Sequence, residues 1–321
     1  MYKLVDDRNK IGAAMNLTVV KTLQQAMNED EMVVALEADL GGASGFSKIK
    51  SSHPQQFVEC GIAEANMMGV AAGMSMLGYK PFVHTFSPFV VRRAFDQVYL
   101  SGGYAKNTIN IYGSDPGYTS AHNGGTHTTF EDIAIMRTLP DAVIVDACDD
   151  VQIAWVVKEF LKLKGIHYLR ANRKAVRKVY TDDSRFKLGK GNVLKTGNDI
   201  LIIAAGELVS DALDAAEMLQ EKGISVEVID MFTIKPLDEE LIKNEVKGKK
   251  AVITFENASV YGGLGSAVND VLVNCPQRVK VKNIGIRDLY GQVGSVDYLK
   301  KTFHLTAADV VEETIKLLNR E

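Results

Sequence analysis

Long apolar runs are missing from this chain, and none approaches the about 20 residues that cross a bilayer. The start, MYKLVDDRNK, lacks the charged-then-apolar order of a signal peptide. An excess of basic charge is missing too, because the formal net charge is −3, and this argues against a nucleic-acid partner. Cysteine is scarce, and Cys60, Cys148 and Cys275 form no CxxC pair, which favours small buried hydrophobes over nucleophiles. We therefore expect a cytoplasmic protein that binds neither nucleic acid nor membrane.

What the sequence has is alternation of short apolar runs with helix-length amphipathic segments. This pattern is typical of a parallel sheet with helices on both faces. The predicted strands span 32–39, 57–60, 80–86, 108–113, 142–147, 166–170, 199–206, 224–231, 250–256 and 279–286. Helices are predicted at 62–77, 208–222, 238–246, 263–273 and near 306–319. The predicted fold class is α/β, with two doubly wound domains and mainly parallel sheets.

The boundary between the domains is predicted from a change in composition. Residues 171–195 are polar, carry charges of both signs and show no helical period, so they indicate a linker with a small edge element. Residues 1–170 then form the first domain, and residues 196–321 form a smaller second domain.

Glu64, in GIAEANMMG, lies in the first turn of a predicted helix made almost entirely of small and apolar residues. One interpretation is an anion placed favourably near a helix N-terminus. The other is a buried carboxyl whose pKa is raised so that it shares a proton with a ligand nitrogen. The helix pattern alone leaves both open. Because the helix carries so few bulky side chains, we expect it to pack closely against other helices or another chain.

Two downstream stretches bear on this choice. FSPFVVRRAFDQV places Phe86, Phe89 and Arg92 three residues apart at a strand-to-helix turn, a spacing that by itself is more typical of a core. GSDPGYTSAHNGGTH, at 113–127, is a polar, glycine-rich loop after a predicted strand. Ligands of α/β folds bind at the carboxyl ends of strands, where this loop would lie.

In this order, GIAE, YKPFVHTFSPFVVRRAFDQV, GGTH and FEDIAIMRTLP resemble the pyrimidine-binding domain of transketolases and deoxyxylulose-phosphate synthases. ENASVYGGLGSAVNDVL and IGIRDLYGQVGSVDYLKKTFHLTAADV resemble the C-terminal domain of the same enzymes. The resemblance spans nearly the whole chain, and the ordered set of motifs is more specific than any one of them. In this family the C-terminal domain is structural, so we expect the glycines of YGGLGSAV to serve the fold rather than to hold a phosphate.

The resemblance implies a thiamine diphosphate site. It makes Glu64 the catalytic carboxyl that hydrogen-bonds N1′ of the aminopyrimidine, which promotes loss of the thiazolium C2 proton. It places Phe86, Phe89 and Arg92 on the walls of the pyrimidine pocket. His127 matches the catalytic histidine that contacts sugar hydroxyls and assists proton transfer.

The motifs depart from the family pattern where the sugar should be recognised. Asn123 replaces an acidic residue, and Asp115 stands where transketolases have a second histidine and deoxyxylulose-phosphate synthases an aspartate. Ser47 and Lys48 stand near the place of a phosphate-binding arginine. Arg170 and Arg173 are both candidate anion contacts, and the sequence does not choose between them. The predicted substrate-binding residues are Asp115, Asn123, His127, Ser47, Lys48, Arg170 and Arg173, and the predicted donor is an unusual ketose with an anionic end, a phosphate or a sulfonate.

A GDG motif followed about 30 residues later by Asn, which holds the diphosphate and a divalent metal in the full-length enzymes, does not occur in the sequence. We therefore expect no metal ligands in this chain, and Mg²⁺ or Ca²⁺ bound mainly by a separate N-terminal subunit. Thiamine diphosphate would be shared with that subunit, and self-association would complete an α₂β₂ assembly.

The predicted function is the C-terminal subunit of a two-chain transketolase, which moves a two-carbon ketol unit from a ketose to an aldose in pentose-phosphate-type carbohydrate metabolism. Two alternatives stay open at this point: the β subunit of a 2-oxoacid dehydrogenase, and a degenerate regulatory subunit without catalysis.

Overall fold

Two mainly parallel sheets organise the chain in the computed structural model, which describes residues 1–319. The strands are β1 (Ile11–Ala14), β2 (Val33–Glu37), β3 (Phe57–Glu59), β4 (Lys80–Phe86), β5 (Ile109–Ser114), β6 (Val143–Asp146), β7 (Ile166–Ala171), β8 (Ala175–Arg177), β9 (Asn192–Lys195), β10 (Ile200–Ala204), β11 (Val226–Asp230), β12 (Thr233–Lys235), β13 (Ala251–Ser259) and β14 (Lys280–Ile286).

The α-helices are α1 (Met15–Glu29), α2 (Gly41–Ser44), α3 (Ser47–Ser52), α4 (Glu64–Met76), α5 (Ser87–Arg93), α6 (Phe95–Gln97), α7 (Asp132–Arg137), α8 (Asp150–Phe160), α9 (Val209–Gln220), α10 (Glu239–Glu245), α11 (Leu264–Leu272), α12 (Val296–Thr302) and α13 (Ala307–Leu318). Shorter 3₁₀ turns span Pro54–Gln56, Gly117–Asn123 and Gly206–Leu208, and Val98–Tyr104 forms a π-helical turn.

The first sheet has seven strands in the order β12-β6-β7-β5-β4-β2-β3. All pairs are parallel except β12 with β6. The strands are apolar because helices cover both faces, and all five residues of β2 are buried. After β2 the chain adds β3 on one side and β4 on the other, so the direction of strand addition reverses between β2 and β4.

Helices α1 and α8 cover one face of this sheet, where Val19 and Leu23 join Val156 and Phe160 in one core cluster. Helices α4, α5 and α7 cover the other face, with Met67, Val90 and Ile133 in a second cluster. The mainly parallel α/β fold predicted from the sequence is confirmed.

The second sheet has the order β14-β13-β10-β11-β9, with β9 antiparallel at its edge. The two sheets are not separate. β12 comes from the second half of the chain, yet it pairs with β6 of the first sheet through Thr233 and Val145. The second core cluster also continues across the junction, since it contains Ile229, Val252 and Leu264 as well as Val34.

Residues 171–195 cross between the sheets without a helix. Their first part supplies β8, which pairs antiparallel with β1, and their last part supplies the edge strand β9. Cys148 and Cys275 are buried, Cys60 is half-buried, and all three are free thiols. Within residues 1–319, no helix combines the length and the apolar character that a bilayer crossing requires.

Candidate active site

Most of the candidate residues follow the carboxyl ends of the strands of the first sheet. Glu64 begins α4 after β3, and Phe89 lies in α5 directly after β4. Asp115 follows β5, and Arg173 follows β7. Because β3, β4, β5 and β7 are parallel, their following segments meet at one edge of the sheet.

Glu64 is buried, with 3% of its surface exposed. Its Oε1 accepts a hydrogen bond from Nη1 of Arg93 at 2.9 Å. The Arg93 guanidinium carbon lies 3.8 Å from the centre of the Phe89 ring, so the cation stacks on the aromatic face while it donates to the carboxylate. The Arg93 side chain is 47% exposed. The buried Glu64 carboxylate is thus covered by the Arg93 guanidinium, which reaches solvent.

The Phe89 ring also contacts two further rings, those of His127 and Phe86. The His127 ring centre lies 5.2 Å from that of Phe89 and 5.9 Å from that of Phe86, in edge contacts. The guanidinium of Arg173 lies 4.8 Å from the centre of the Phe86 ring. We call this continuous set the strand-end row; its members are Glu64, Arg93, Phe89, His127, Phe86, Arg173 and Asp115.

Asp115, at the other end of the strand-end row, accepts hydrogen bonds with both carboxylate oxygens, whereas Glu64 accepts from Arg93 with one. Its Oδ2 accepts from Nε of Arg173 at 2.6 Å, and its Oδ1 accepts from the Arg173 backbone N–H at 3.0 Å. Burial raises the pKa of Asp115, while the Arg173 guanidinium opposes that rise. The backbone of Asp115 has φ +50°, a conformation that non-glycine residues adopt at a cost and that often marks functional sites.

The loop that carries His127 rests on the second domain. A Cβ on Gly125 would lie 2.8 Å from the carbonyl oxygen of Gly291, and a Cβ on Gly117 would lie 2.0 Å from Oδ1 of Asn257. Asn257 in turn accepts the Tyr118 N–H at 3.1 Å. These close contacts with Gly291 and Asn257 position the loop that carries His127 beside Phe86 and Phe89.

The glycines of YGGLGSAV have a structural role. Both oxygens of the buried Glu256 accept backbone N–H groups at the start of α11, from Leu264 at 2.7 Å and Gly265 at 2.8 Å. A Cβ on Gly263 would lie 2.1 Å from Glu256 Oε2. An internal carboxylate thus occupies the place that a bound phosphate would take at this helix N-terminus.

Arg92 pairs with the His127 loop and not with Glu64, and its role on the wall of the pyrimidine pocket stays a prediction. Its Nε donates to Glu131 Oε1 at 2.6 Å and its Nη2 to the Thr128 carbonyl at 2.9 Å, so it ties α5 to the His127 loop. The arginine beside Glu64 is Arg93, which sequence reasoning missed. Consecutive residues of a helix point about 100° apart, and only the paired RR at the end of α5 signalled that either could face Glu64.

Arg170 and Arg173 are distinguished by burial. Arg170 is 1% exposed and donates to Asp132 at 2.8 Å, to Asp146 at 2.5 Å and to the Asn257 carbonyl at 2.9 Å. Its guanidinium is fully engaged inside the protein at the junction of the domains, so it is not placed to meet a ligand. Arg173, in the strand-end row, is the one that reaches solvent, with 21% of its side chain exposed.

The remaining predicted substrate residues lie on the surface. Ser47 and Lys48 are exposed in the first turn of α3, and Asn123 is exposed at the end of the 3₁₀ turn that precedes the His127 loop. The structure does not bring these three into contact with the strand-end row. Among residues 1–319, no group of three or more His, Cys, Asp or Glu side chains is arranged to hold a metal ion.

Comparison with known proteins identifies the two domains. The family model of the transketolase pyrimidine-binding domain matches residues 12–178, and that of the transketolase C-terminal domain matches residues 189–310. A 6-deoxy-6-sulfo-D-fructose transketolase subunit from Clostridium sp. is 41% identical over 95% of this chain and 94% of its own length. One subunit of an apulose-4-phosphate transketolase from Phocaeicola vulgatus is 40% identical over 83% of this chain and 85% of its own.

A solved structure of a split-gene transketolase, an inactive β4 tetramer, superposes with a TM-score of 0.88. It is 37% identical, and the match covers 96% of this chain and 99% of that one. The chain therefore belongs to the transketolase family, a family of thiamine diphosphate-dependent enzymes, and consists of the pyrimidine-binding and C-terminal domains that split transketolases carry as a separate subunit.

Proposed function

We propose that this chain is the pyrimidine-binding subunit of a two-chain transketolase that transfers a two-carbon ketol unit from an anionic ketose to an aldose. The observation that carries the proposal is the strand-end row, in which Glu64, Phe89 and His127 meet although they come from separate parts of the sequence. These three supply a buried carboxylate, an aromatic face and a half-buried imidazole at one edge of the sheet.

The site fits the aminopyrimidine of thiamine diphosphate. The Arg93 guanidinium, a flat group that bears N–H donors, already lies on Phe89 and donates to Glu64. A planar nitrogen heterocycle can use the same two surfaces. When bound, the cofactor supplies a carbon nucleophile for the ketol group. Glu64 then holds a proton at N1′, while Phe86 and Phe89 exclude water from the ring.

Arg93 has to leave the Phe89 face for the pyrimidine to stack there. Its side chain is half-exposed, so the guanidinium can move into solvent, and the bound ring then has to pair the buried Glu64 carboxyl in its place.

His127 faces the rings of Phe86 and Phe89, and we assign to it the contact with the sugar hydroxyls and the transfer of a proton. At the far end of the strand-end row, Arg173 and Asp115 supply one cation and one carboxylate for the sugar. The sulfo-fructose and apulose-phosphate relatives are named for anionic ketoses, one a sulfonate and one a phosphate. We assign the anion to Arg173 and, after movement of α3, to Lys48 and Ser47, with Asn123 as a hydroxyl contact.

A separate subunit would hold the diphosphate and its Mg²⁺ or Ca²⁺. A face of α4 supports docking of a neighbouring chain next to Glu64. Gly69 and Gly73 are exposed and one turn apart, and no atom lies within 4 Å of a Cβ built on either. Met76 and Leu77, both 75% exposed, continue this face. Small residues with open space above them let another helix approach closely.

The experiment is to produce this chain together with a candidate N-terminal subunit and to measure thiamine diphosphate binding by calorimetry. Ketol transfer is then measured over matched phosphorylated and sulfonated ketoses, with neutral ketoses as the control. We expect binding only by the pair, and turnover that prefers one anion class. Absence of thiamine diphosphate binding by the pair, or acyl transfer to lipoamide in place of ketol transfer, would refute the proposal.

A further inference from the structure

A closed polar network lies directly beneath the edge of the sheet that carries the strand-end row. Glu37, the last residue of β2, and His84 of β4 are neighbours in register, and neither has any exposed surface. Nδ1 of His84 lies 3.0 and 2.9 Å from the two carboxylate oxygens of Glu37. Nε2 of His84 lies 2.8 Å from Oγ of Ser114, the last residue of β5.

The network also holds the loop after β2. Glu37 Oε1 accepts the backbone N–H of Ala38 at 3.1 Å, and Oε2 accepts the hydroxyl of Ser44 at 2.6 Å. Oγ of Ser44 then accepts the backbone N–H of Phe46 at 3.0 Å. Loop 38–46, which includes the one-turn helix α2, is thereby fixed to one side of the His84 ring, and the end of β5 is fixed to the other side.

This network occupies the place where α/β sheets bind ligands. β2 and β4 are the two strands between which the direction of strand addition reverses, and ligands bind in the crevice above such a reversal. Loop 38–46 leads to Ser47, and Ser114 leads directly into Asp115. Both flanks of the proposed sugar site therefore rest on one imidazole.

Stability alone does not explain such a network. Burying a carboxylate and an imidazole removes them from water, and well-packed apolar side chains of similar volume often give an equally stable core. What apolar side chains cannot do is hold two loops at a fixed separation by directional hydrogen bonds. Each contact between Glu37, His84, Ser44 and Ser114 in this network is a hydrogen bond, which has a preferred direction.

We propose that His84 and Glu37 are positioning residues for the donor ketose. By bridging Ser44 and Ser114, they set the separation of loop 38–46 from the segment that begins at Asp115. This inference rests on the proposed transketolase function and deepens it, since it separates recognition of the sugar from binding of the cofactor.

The test uses the two-subunit enzyme and the His84→Gln variant. We expect the KM for the donor ketose to rise about tenfold, with kcat lowered less than about threefold and the dissociation constant of thiamine diphosphate unchanged. Ser114→Ala removes only the hydroxyl that meets Nε2, so it keeps the test informative if His84→Gln does not fold. For Ser114→Ala we expect a rise of about threefold in the same KM.

His167→Gln is the matched control. His167 is 1% exposed in the same sheet, and its Nδ1 lies 2.7 Å from Oδ1 of Asn110, but it lies near the amino ends of the strands. A purely structural role for His84 predicts that both variants lower the melting temperature and that neither changes the donor KM, which would overturn the inference. An equal loss of cofactor affinity in His84→Gln would overturn it too. Wild-type enzyme without ketol transfer would instead refute the proposed function.

Discussion

Buried acidic side chains occur in two regions of this chain, and their partners differ. In the strand-end row, Glu64 and Asp115 are paired with Arg93 and Arg173, which stack on aromatic rings and reach solvent. At the junction of the two domains, the acids are bonded to buried side chains and to backbone N–H groups. We call this second set the junction acids; its members are Asp132, Asp146, Asp149, Asp230 and Glu256.

The junction acids join segments that are distant in sequence. Asp149 accepts the backbone N–H groups of Val179 and Tyr180, and Asp146 accepts from the buried Arg170. Burial raises the pKa of Asp146 and Asp149 to about 6, that of Asp230 to about 7 and that of Glu256 to about 8.

A raised pKa in a carboxyl is therefore no guide to catalysis in this protein. The largest shifts belong to acids whose partners are backbone groups and buried side chains. What distinguishes the strand-end row is a partly exposed cation stacked on an aromatic face. Single substitutions in the two regions test whether their acids differ in function.

The largest effect is expected from Glu64→Gln, compared with Glu256→Gln in the other region. Both glutamates are buried: Glu64 begins α4, whereas Glu256 belongs to β13 and accepts the backbone N–H groups at the start of α11. Loss of an acid that shares a proton during the reaction costs about 10²–10⁴-fold in rate, so ketol transfer by Glu64→Gln should fall by that factor while the melting temperature is retained. Both oxygens of Glu256 accept backbone N–H groups, so the NH₂ of a glutamine would face a donor. Glu256→Gln should therefore lower the melting temperature and leave kcat within about twofold. Equal turnover in the two variants would remove Glu64 from the chemistry.

The next effect concerns two arginines three positions apart. Removing one partner of a buried ion cluster costs about 3–5 kcal/mol, so Arg170→Met should lower the free energy of unfolding by that amount, as measured by urea denaturation. Arg173→Met should cost about 1 kcal/mol, because Asp115 can take up a proton, and should raise the KM of the anionic donor about tenfold. A raised KM in Arg170→Met at full stability would reverse our assignment.

Much of the fold was predictable because its strands are short apolar runs. The run 32–39 predicted β2, and GIAE placed Glu64 at the start of α4, where the structure has it. β12 was not predicted. It has only three residues, and its pairing with β6 joins positions that are nearly 90 residues apart in the sequence, which no local pattern encodes.

The candidate site was predictable in its elements but not in its side-chain directions. Arg170 and Arg173 both follow the same apolar strand, and only the packing of Asp132 and Asn257 from elsewhere draws Arg170 inward. Arg92 and Arg93 point about 100° apart on α5, and the sequence does not give the rotation of that helix about its axis, which decides which arginine faces Glu64. The network of Glu37 and His84 was missed because alternation in a buried strand does not show which polar residues become neighbours.

A smaller effect is expected from Asp230→Asn, which tests the junction acids through pH. Oδ2 of Asp230 accepts from Tyr180 at 2.6 Å and from Gln152 at 2.7 Å, while its buried Oδ1 has no hydrogen-bond partner among residues 1–319. The folded pKa, raised to about 7, lies above the ordinary value. The stability that the protonated acid contributes is therefore complete below about pH 4 and is lost as the pH rises through 7.

Asparagine imitates the protonated acid, so Asp230→Asn should match the wild type at pH 4 and exceed it at pH 8. The difference should grow by up to about 1.4 kcal/mol per pH unit between these values. Urea denaturation across this range, with ketol transfer as the second readout, checks the prediction. A difference that does not change with pH would show that Asp230 is ionised in the folded protein.

The smallest effect is expected from Arg93→Met, which tests whether the cation in the strand-end row is displaceable. Removing it should strengthen thiamine diphosphate binding by the two-subunit enzyme about threefold to tenfold, since the pyrimidine no longer competes with a partly exposed ion pair and a cation–π contact. Calorimetry measures the affinity, and Arg92→Met is the matched control because Arg92 bonds to Glu131 instead. Weaker binding by Arg93→Met alone would mean that the arginine stays beside Glu64 and contacts the bound ring. In that case the two acid clusters would differ only in exposure, and not in the mobility of their partners.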